Sequence, residues 1–386
     1  MTTAWTTPER LALRESVTRF AHKEVVPHLR DWEDDGRVPR ELHRTAAAAG
    51  VLGLGFAEDV GGEGGDAVDV TTQTEALIEA GASSGLCAAL FTHGIALPHV
   101  VASGQADLVD RYVRPTLAGE TIGSLAVTEP GGGSDVAALT TRARRDGDHY
   151  VVDGAKTFIT SGTRADFVTT AVRTGGPGHD GISLLVVDTA SPGFTASRPL
   201  AKMGWHCSDT AEIAYDGVRV PASNLVGAEG SGFVAIMRQF VSERLSLAVQ
   251  AYSTAQRCLD LAVAHARERE TFGRPLTGRQ VVRHRLVDMH RLTTTARTYT
   301  RSVVEAGLAP DADPMRQALD ASIAKNDAVE ACKQVVDQAV QLFGGAGYMR
   351  DSEVERHYRD SRILGIGGGA DEVLSDLAAK LLGYSA

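Results

Sequence analysis

Four short stretches of the 386-residue chain combine residue types and spacings that could do chemistry. The first is Ala126-Val127-Thr128-Glu129-Pro130-Gly131-Gly132-Gly133-Ser134-Asp135, a glycine run flanked by the hydroxyls of Thr128 and Ser134. Glycine lets a backbone approach a ligand closely and turn N–H groups toward phosphate oxygens. Taken alone, such a turn is better read as a plain loop. The second, Lys156-Thr157-Phe158-Ile159-Thr160-Ser161-Gly162, sets an aromatic ring beside hydroxyls, a surface suited to a flat heteroaromatic ring. Its bland reading is a half-buried strand. The third, Arg269-Glu270-Thr271-Phe272-Gly273 with Gln280 downstream, offers charge-assisted bonds to a pyrophosphate. The fourth, Gln341-Leu342-Phe343-Gly344-Gly345-Ala346-Gly347-Tyr348, closes a helical run. A helix stop explains one glycine there, but not several with an upstream glutamine.

The elements that must position these stretches change character along the chain. Residues 1–121 read as helices, with Thr6 and Glu9 at capping-box spacing and Pro8 in the first turn. Further helices are expected over 70–80 and 106–117, and the glycine-dense 53–65 reads as a loop. From 122 to 228 the pattern shortens to strands and turns. Asp146-Gly147 signals a hairpin, and 211–220 reads as a further pair of strands closed by Pro221. From 229 to 386 the helical period returns. Leu245, Ala248, Tyr252, Ala255, Leu259 and Ala262 form a seam for packing on another helix. The expected fold is therefore α+β and multi-domain: an N-terminal helical domain, a central antiparallel β domain and a C-terminal four-helix bundle.

Composition narrows the function classes. A net charge of −10 leaves no basic face for nucleic acid. The longest nearly apolar stretch, residues 46–57, is shorter than the roughly 20 residues of a membrane span. Cys87, Cys207, Cys258 and Cys332 are scattered without a CxxC pair, so they read as reduced and mostly buried, with no metal site implied. Acidic Glu9 precedes any apolar run, so no signal peptide is expected and a cytoplasmic setting is.

In this order and on this layout, the four stretches resemble the acyl-CoA dehydrogenase flavoprotein family over nearly the whole chain. The motifs that carry the resemblance are AVTEPGGGSDVAA at 126–138 and the spaced set Gln341, Gly344, Gly345, Gly347, Tyr348, Asp351, Arg356 and Asp360. Met203-Gly204-Trp205-His206-Cys207-Ser208-Asp209-Thr210 matches a further family segment, although arginine often stands at the place of His206. The resemblance implies FAD, an acyl-CoA substrate, electron-transfer flavoprotein as acceptor, and a homotetramer whose subunits share the cofactor sites. It implies that Thr128, Gly133 and Ser134 meet the flavin or its phosphates. Phe158 and Thr160 would lie against the ring, where many relatives carry tryptophan in place of Phe158. Arg269, Thr271, Phe272, Gln280, Gln341 and Gly345 would form the adenine-dinucleotide side.

The family reaction removes two hydrogens from an acyl thioester, and many relatives carry the required glutamate in a loop before the last helix. Gly368 stands there in this chain. Glu243, in Phe240-Val241-Ser242-Glu243-Arg244-Leu245, resembles the alternative placement of the isovaleryl-CoA and long-chain branches, where the base comes from the first bundle helix. A lone Glu-Arg at a helix start is ordinarily a solvated pair. The reciprocal glycine at 368 makes Glu243 the expected base. The backbone N–H of Gly368 would hold the thioester carbonyl. Ser134, Arg244, Gly367 and Gly369 are expected on the substrate side, Arg244 chiefly as a brace, and Gly367-Gly368-Gly369 as room beside the acyl chain. The alternatives are an acyl-CoA oxidase or flavin monooxygenase on the same fold, or a silent flavoprotein that binds acyl thioesters.

Overall fold

The computed structural model describes residues 3–384. The first helix, Pro8–Phe20, is capped by Thr7, whose side chain accepts from the Arg10 N–H, and not by Thr6. A residue before proline is driven into extended backbone, so Thr7, with ψ 154°, is the one shaped to be the cap. Asp66 and Asp69 form a capping box on the Ala67–Glu79 helix. The glycine-dense loop is ordered by its own backbone: Gly55 N–H donates to Gly64 O at 2.7 Å and Gly64 N–H to Phe56 O at 2.8 Å.

The central unit is one sheet, ordered β6-β7-β3-β2-β4-β5-β8, with β1 added on β4. Its strands are β1 (Gly123–Ala126), β2 (Arg142–Asp146), β3 (His149–Thr160), β4 (Phe167–Arg173), β5 (Ile182–Asp188), β6 (Phe194–Ala196), β7 (Thr210–Pro221) and β8 (Leu225–Val226). Pairing is antiparallel except at β1–β4 and a single β2–β4 position. The strand pair expected over 211–220 is a single strand that pairs with β3 along its length. Asp216-Gly217 looks like a turn in sequence. It is absorbed as a register shift instead, with Gly217 at φ +63° and its N–H held by Asp153 Oδ1 at 2.8 Å.

The C-terminal bundle is built from Gly232–Glu268, Gln280–Ala306, Pro314–Phe343 and Asp371–Leu381. Ala248, Tyr252, Ala255, Leu259 and Ala262 are buried in its core as the seam predicts. Leu245 is not in that core and Leu247 is, and Leu247 also packs against the glycine loop before the last helix.

Ion pairs lock the helical ends together across the sequence. Glu75, fully buried, accepts from Arg301 Nε and Tyr252 OH at 2.8 Å each and pairs with Arg14. The acidic and basic residues near Arg356 are likewise internal pairs, Arg356 with Glu33, Arg359 with Glu355 and Arg257 with Glu353.

Candidate active site

Glu243 projects from the fourth turn of the Gly232–Glu268 helix into a half-buried position. Among the described residues, no donor reaches its carboxylate. Burial therefore dominates and pushes the carboxyl up to about 7, against the smaller opposing pull of Arg244. Arg244 is turned away. Its Nε donates to Gly368 O at 3.4 Å, its guanidinium lies 5.7 Å over the Phe240 ring, and it makes no ion pair with Glu243. The neighbour that could have neutralised the glutamate is thus spent on bracing.

The glycine loop faces this carboxylate. Gly368 has φ +64°, a left-handed backbone that disfavours any side chain. A Cβ built on it would stand 3.6 Å from Glu243 Oε1 and 2.4 Å from Leu247 Cδ1. The glutamate carboxylate and the vacated side-chain position at 368 therefore share one place in space. Among the described residues, the Gly368 N–H has no hydrogen-bond acceptor, so it is free to serve a ligand. The room expected at Gly368 and Gly369 is not there. Leu247 fills the first, and Leu374, 2.8 Å from a Cβ at 369, fills the second. Only Gly367, whose Cβ would meet Ile363 O at 3.6 Å, has ordinary space beside it.

The sheet reaches the same junction. Ser161, just past the end of β3, shares a hydrogen bond of 2.8 Å with Thr92, and Gln239, one helical turn before Glu243, donates to Gly94 O at 3.1 Å. Thr160 and Phe158 are thereby brought toward Glu243 through the short 92–94 segment. Phe158 is 68% exposed and held at φ +60°. The loop of Thr128 is clamped from below. Lys156 Nζ donates to Glu129 Oε1 at 2.9 Å and Val127 O at 3.0 Å, and Thr157 N–H donates to Thr128 O at 2.9 Å. Glu129 accepts two further bonds from Thr140 and one from Thr141. Neither Glu129 nor Lys156 was singled out by sequence for this role, although both lie inside the stretches that were.

These surfaces fit the flavin dinucleotide that the resemblance implies. The hydroxyls of Thr128, Ser134 and Thr160 have no partner among the described residues. A Cβ at Gly131, Gly132, Gly344 or Gly345 would meet nothing within 4 Å, and one at Gly133 would meet only Thr128. Among the described residues, the non-glycine residues with positive φ are Phe158, Ser161, Trp205 and Phe272; Phe158, Ser161 and Phe272 lie in the stretches marked for chemistry and Trp205 in the further family segment. Backbone strain of this kind persists where the surroundings impose it, typically at ligand sites.

The remaining residues gather elsewhere. Arg269 caps the far end of the helix that carries Glu243, 26 positions on, which at 1.5 Å per residue is about 39 Å away. Thr271 and Phe272 follow in an exposed turn, and stacking of His265 on Phe343 at 4.2 Å sets that turn beside the end of the Pro314–Phe343 helix, where Gln341 and Gly345 sit. Gln280 starts the next helix. Arg279, which sequence did not mark, organises the turn: it donates to Thr271 O at 2.7 Å and Oγ1 at 3.0 Å and lies 5.3 Å over the Phe272 ring. Within one chain, the two groups of expected cofactor residues stand at opposite ends of the bundle.

Three family models match in series: acyl-CoA dehydrogenase N-terminal domain at 7–120, middle domain at 124–218 and C-terminal domain at 230–383. The chain is 35% identical to the mitochondrial long-chain specific acyl-CoA dehydrogenase of Rattus norvegicus, over 95% of this chain and 85% of that one. A probable acyl-CoA dehydrogenase from Mycobacterium abscessus superposes with a TM-score of 0.96 at 63% identity, covering 98% of this chain and 100% of that one. A glutaryl-CoA dehydrogenase from Mycobacterium smegmatis, solved in complex with FADH2, gives a TM-score of 0.91 at 26% identity, over 98% and 96% of the two chains. The chain belongs to the acyl-CoA dehydrogenase family, whose members are FAD-dependent and dehydrogenate acyl-CoA thioesters.

Proposed function

We propose that Glu243 is the base that removes the α proton of an acyl-CoA, and that the Gly368 N–H polarises the thioester carbonyl, yielding the trans-2-enoyl-CoA. The observation that carries this reading is the distance of 3.6 Å between Glu243 Oε1 and the position a side chain at 368 would occupy. It puts a proton acceptor beside a free N–H donor. An α proton is weakly acidic, so its removal needs the developing oxyanion to be met by a fixed donor. A base performs best when its pKa lies near the working pH, and burial gives Glu243 that value. Arg244 assists by holding Gly368 O from behind while leaving the carboxylate unpaired. Bound FAD supplies the acceptor for the β hydrogen, which leaves as hydride.

Thr128, Gly133, Ser134, Phe158 and Thr160 would hold the flavin half. Arg269, Thr271, Phe272, Gln280, Gln341 and Gly345 would hold the dinucleotide half of a neighbouring subunit's cofactor, which the separation along the bundle supports and which makes a homotetramer part of the site. Electron-transfer flavoprotein would take the electrons. The free, buried cysteines support a reducing, cytoplasmic setting.

Anaerobic titration of the FAD-loaded protein with straight and branched acyl-CoAs, followed by the oxidised flavin absorbance, tests the reading. Bleaching by some chains, lost in Glu243→Gln with FAD and acyl-CoA still bound, is the expected result. Equal bleaching by Glu243→Gln would overturn the base assignment. Rapid reoxidation by air would point to an oxidase.

A further inference from the structure

The loop that carries Gly368 is built from the residues least able to hold a shape. Gly367, Gly368 and Gly369 follow one another, and the last two sit at φ +64° and +101°. Glycine has the most backbone freedom to lose, so such a loop does not by itself aim an N–H group. Its start is tied to the preceding turn, Gly367 N–H donating to Ile363 O at 2.8 Å. Its far side is tied by a side chain from another helix.

Lys325, on the Pro314–Phe343 helix, has no solvent exposure. Its ammonium donates to Gly369 O at 2.9 Å and to Asp371 Oδ1 at 3.0 Å. Lys333, on the same helix, holds the other carboxylate oxygen of Asp371 at 2.7 Å, and Asn326 Nδ2 donates to Asp371 O at 2.8 Å. A fully buried lysine is costly unless its donors are used. Here they are used on the loop and on the first residue of the helix that follows it. Arg244 takes Gly368 O from the opposite side. The two carbonyls after the Gly368 N–H are thus both fixed by cations, while the Gly368 N–H itself has no acceptor among the described residues and lies on the residue whose Cβ position is 3.6 Å from Glu243 Oε1.

We propose that Lys325 is a positioning residue for the reaction: by clasping Gly369 O and Asp371 it fixes the glycine loop so that the Gly368 N–H points at the thioester oxygen. The inference rests on the dehydrogenase reading above. It makes a different demand, because it concerns orientation of a donor and not the presence of a base. Misplacing a catalytic donor by about 1 Å costs on the order of 100-fold in rate, while ground-state binding through the rest of the ligand is largely kept.

The test uses the FAD-loaded enzyme and two readouts. One is steady-state turnover of an acyl-CoA that bleaches the wild type. The other is binding of a 3-thiaacyl-CoA, which can lose its α proton but yields no hydride, so the reaction stops at the enolate. The enolate is read from its long-wavelength absorbance beside oxidised flavin. Lys325→Met is expected to retain FAD and to bind the analogue within about 3-fold of wild type. Its kcat should fall roughly 10- to 100-fold, and the enolate fraction at fixed pH should fall in parallel. Lys333→Met, which loses the contact to Asp371 and a long pair with Glu330 but no contact to the glycine loop carbonyls, should change kcat less than about 3-fold. If the buried substitution does not fold, Asp371→Asn carries the test, with the same direction and a loss of about 3- to 10-fold. Wild-type kcat and enolate fraction in a folded variant would overturn the proposal. So would a parallel loss of FAD, binding and turnover, which is the mark of a merely structural lysine. A wild type that forms neither bleached flavin nor enolate would instead overturn the dehydrogenase reading, and this proposal with it.

Discussion

Two glutamates of this chain stand near the same junction and are treated in opposite ways. Glu129 belongs to the glycine loop of the sheet and receives the Lys156 ammonium, both Thr140 donors and the Thr141 N–H. Burial alone would raise its pKa, but the bonds from Thr141 and Thr140 and the Lys156 charge outweigh it and hold the carboxyl down at about 2. Glu243 receives no donor among the described residues, and burial wins, at about 7. Burial raises both. The number of donors aimed at the carboxylate decides whether a glutamate is a fixed anion that shapes a loop or a base that can pick up a proton. The Lys156 side of the pair reads differently: burial pulls it down to about 8 against the raising effect of Glu129. The carboxylate is the better satisfied partner, since it collects donors that the lysine does not share.

The largest effect is expected from removing the proposed base. Glu243→Gln keeps the shape and is expected to lower the rate of flavin bleaching by about 10²- to 10⁴-fold, with FAD content unchanged. Rapid-mixing kinetics would measure it, and a loss below 10-fold would make the two glutamates equivalent. Glu129→Gln should do the converse. It leaves the Lys156 charge buried and unpaired, at a cost of about 3–5 kcal/mol, so thermal unfolding and FAD retention should suffer before chemistry does. Denaturant titration of apo and FAD-loaded protein separates the two effects. Gly368→Ala comes next. Its Cβ would stand 2.4 Å from Leu247 Cδ1 on a left-handed backbone, so a stability loss of about 1–3 kcal/mol is expected. Turnover should fall with it, and trimming Leu247 to Ala in the same chain should recover the packing part of the loss.

The smallest effect is on stability against pH. The folded carboxyl of Glu243 lies near 7 and its usual value is 4.5, so between those values the folded state holds more proton than the unfolded one. Its contribution to stability is therefore greatest at low pH and declines as pH rises through about 7. The full loss is on the order of 1–3 kcal/mol at pH 8, at the low end because the side chain is only half-buried. Glu243→Gln should accordingly unfold at a higher temperature than wild type at pH 8, and the gap should close toward pH 4.5. In wild type, kcat/KM should rise with pH and level off above about 7.

Much of this was legible beforehand, and the misses share a cause. The α-β-α order, the hairpin at Asp146-Gly147 and the bundle core follow from period and turn chemistry that a window of a dozen residues contains. The proposal for Glu243 starts from its pairing with a glycine 125 positions away, a reciprocal pattern that only a family resemblance exposes. What the chain does not spell out is which side chain fills a vacancy. Leu247 reads as an ordinary helix leucine, yet it occupies the space at Gly368. Lys325 and Arg279 belong to no motif, yet each holds the backbone carbonyl of a marked residue. The two-strand reading of 211–220 failed for a related reason: Asp216-Gly217 has turn chemistry, and only the partner strand β3 decides that it becomes a bulge.

The leucine beside Gly368 also bears on how this lineage can change. Moving the proposed base from Glu243 to the loop would take at least three heritable steps: a new side chain at 368, a smaller residue at 247 and loss of the carboxylate at 243. The first step taken alone meets both a steric wall at 2.4 Å and an unfavourable backbone. The last taken alone removes the base. The intermediates on either route are poorer than the starting point, so the placement of the base is an evolutionary commitment, held in position by a methyl group that takes no part in the reaction.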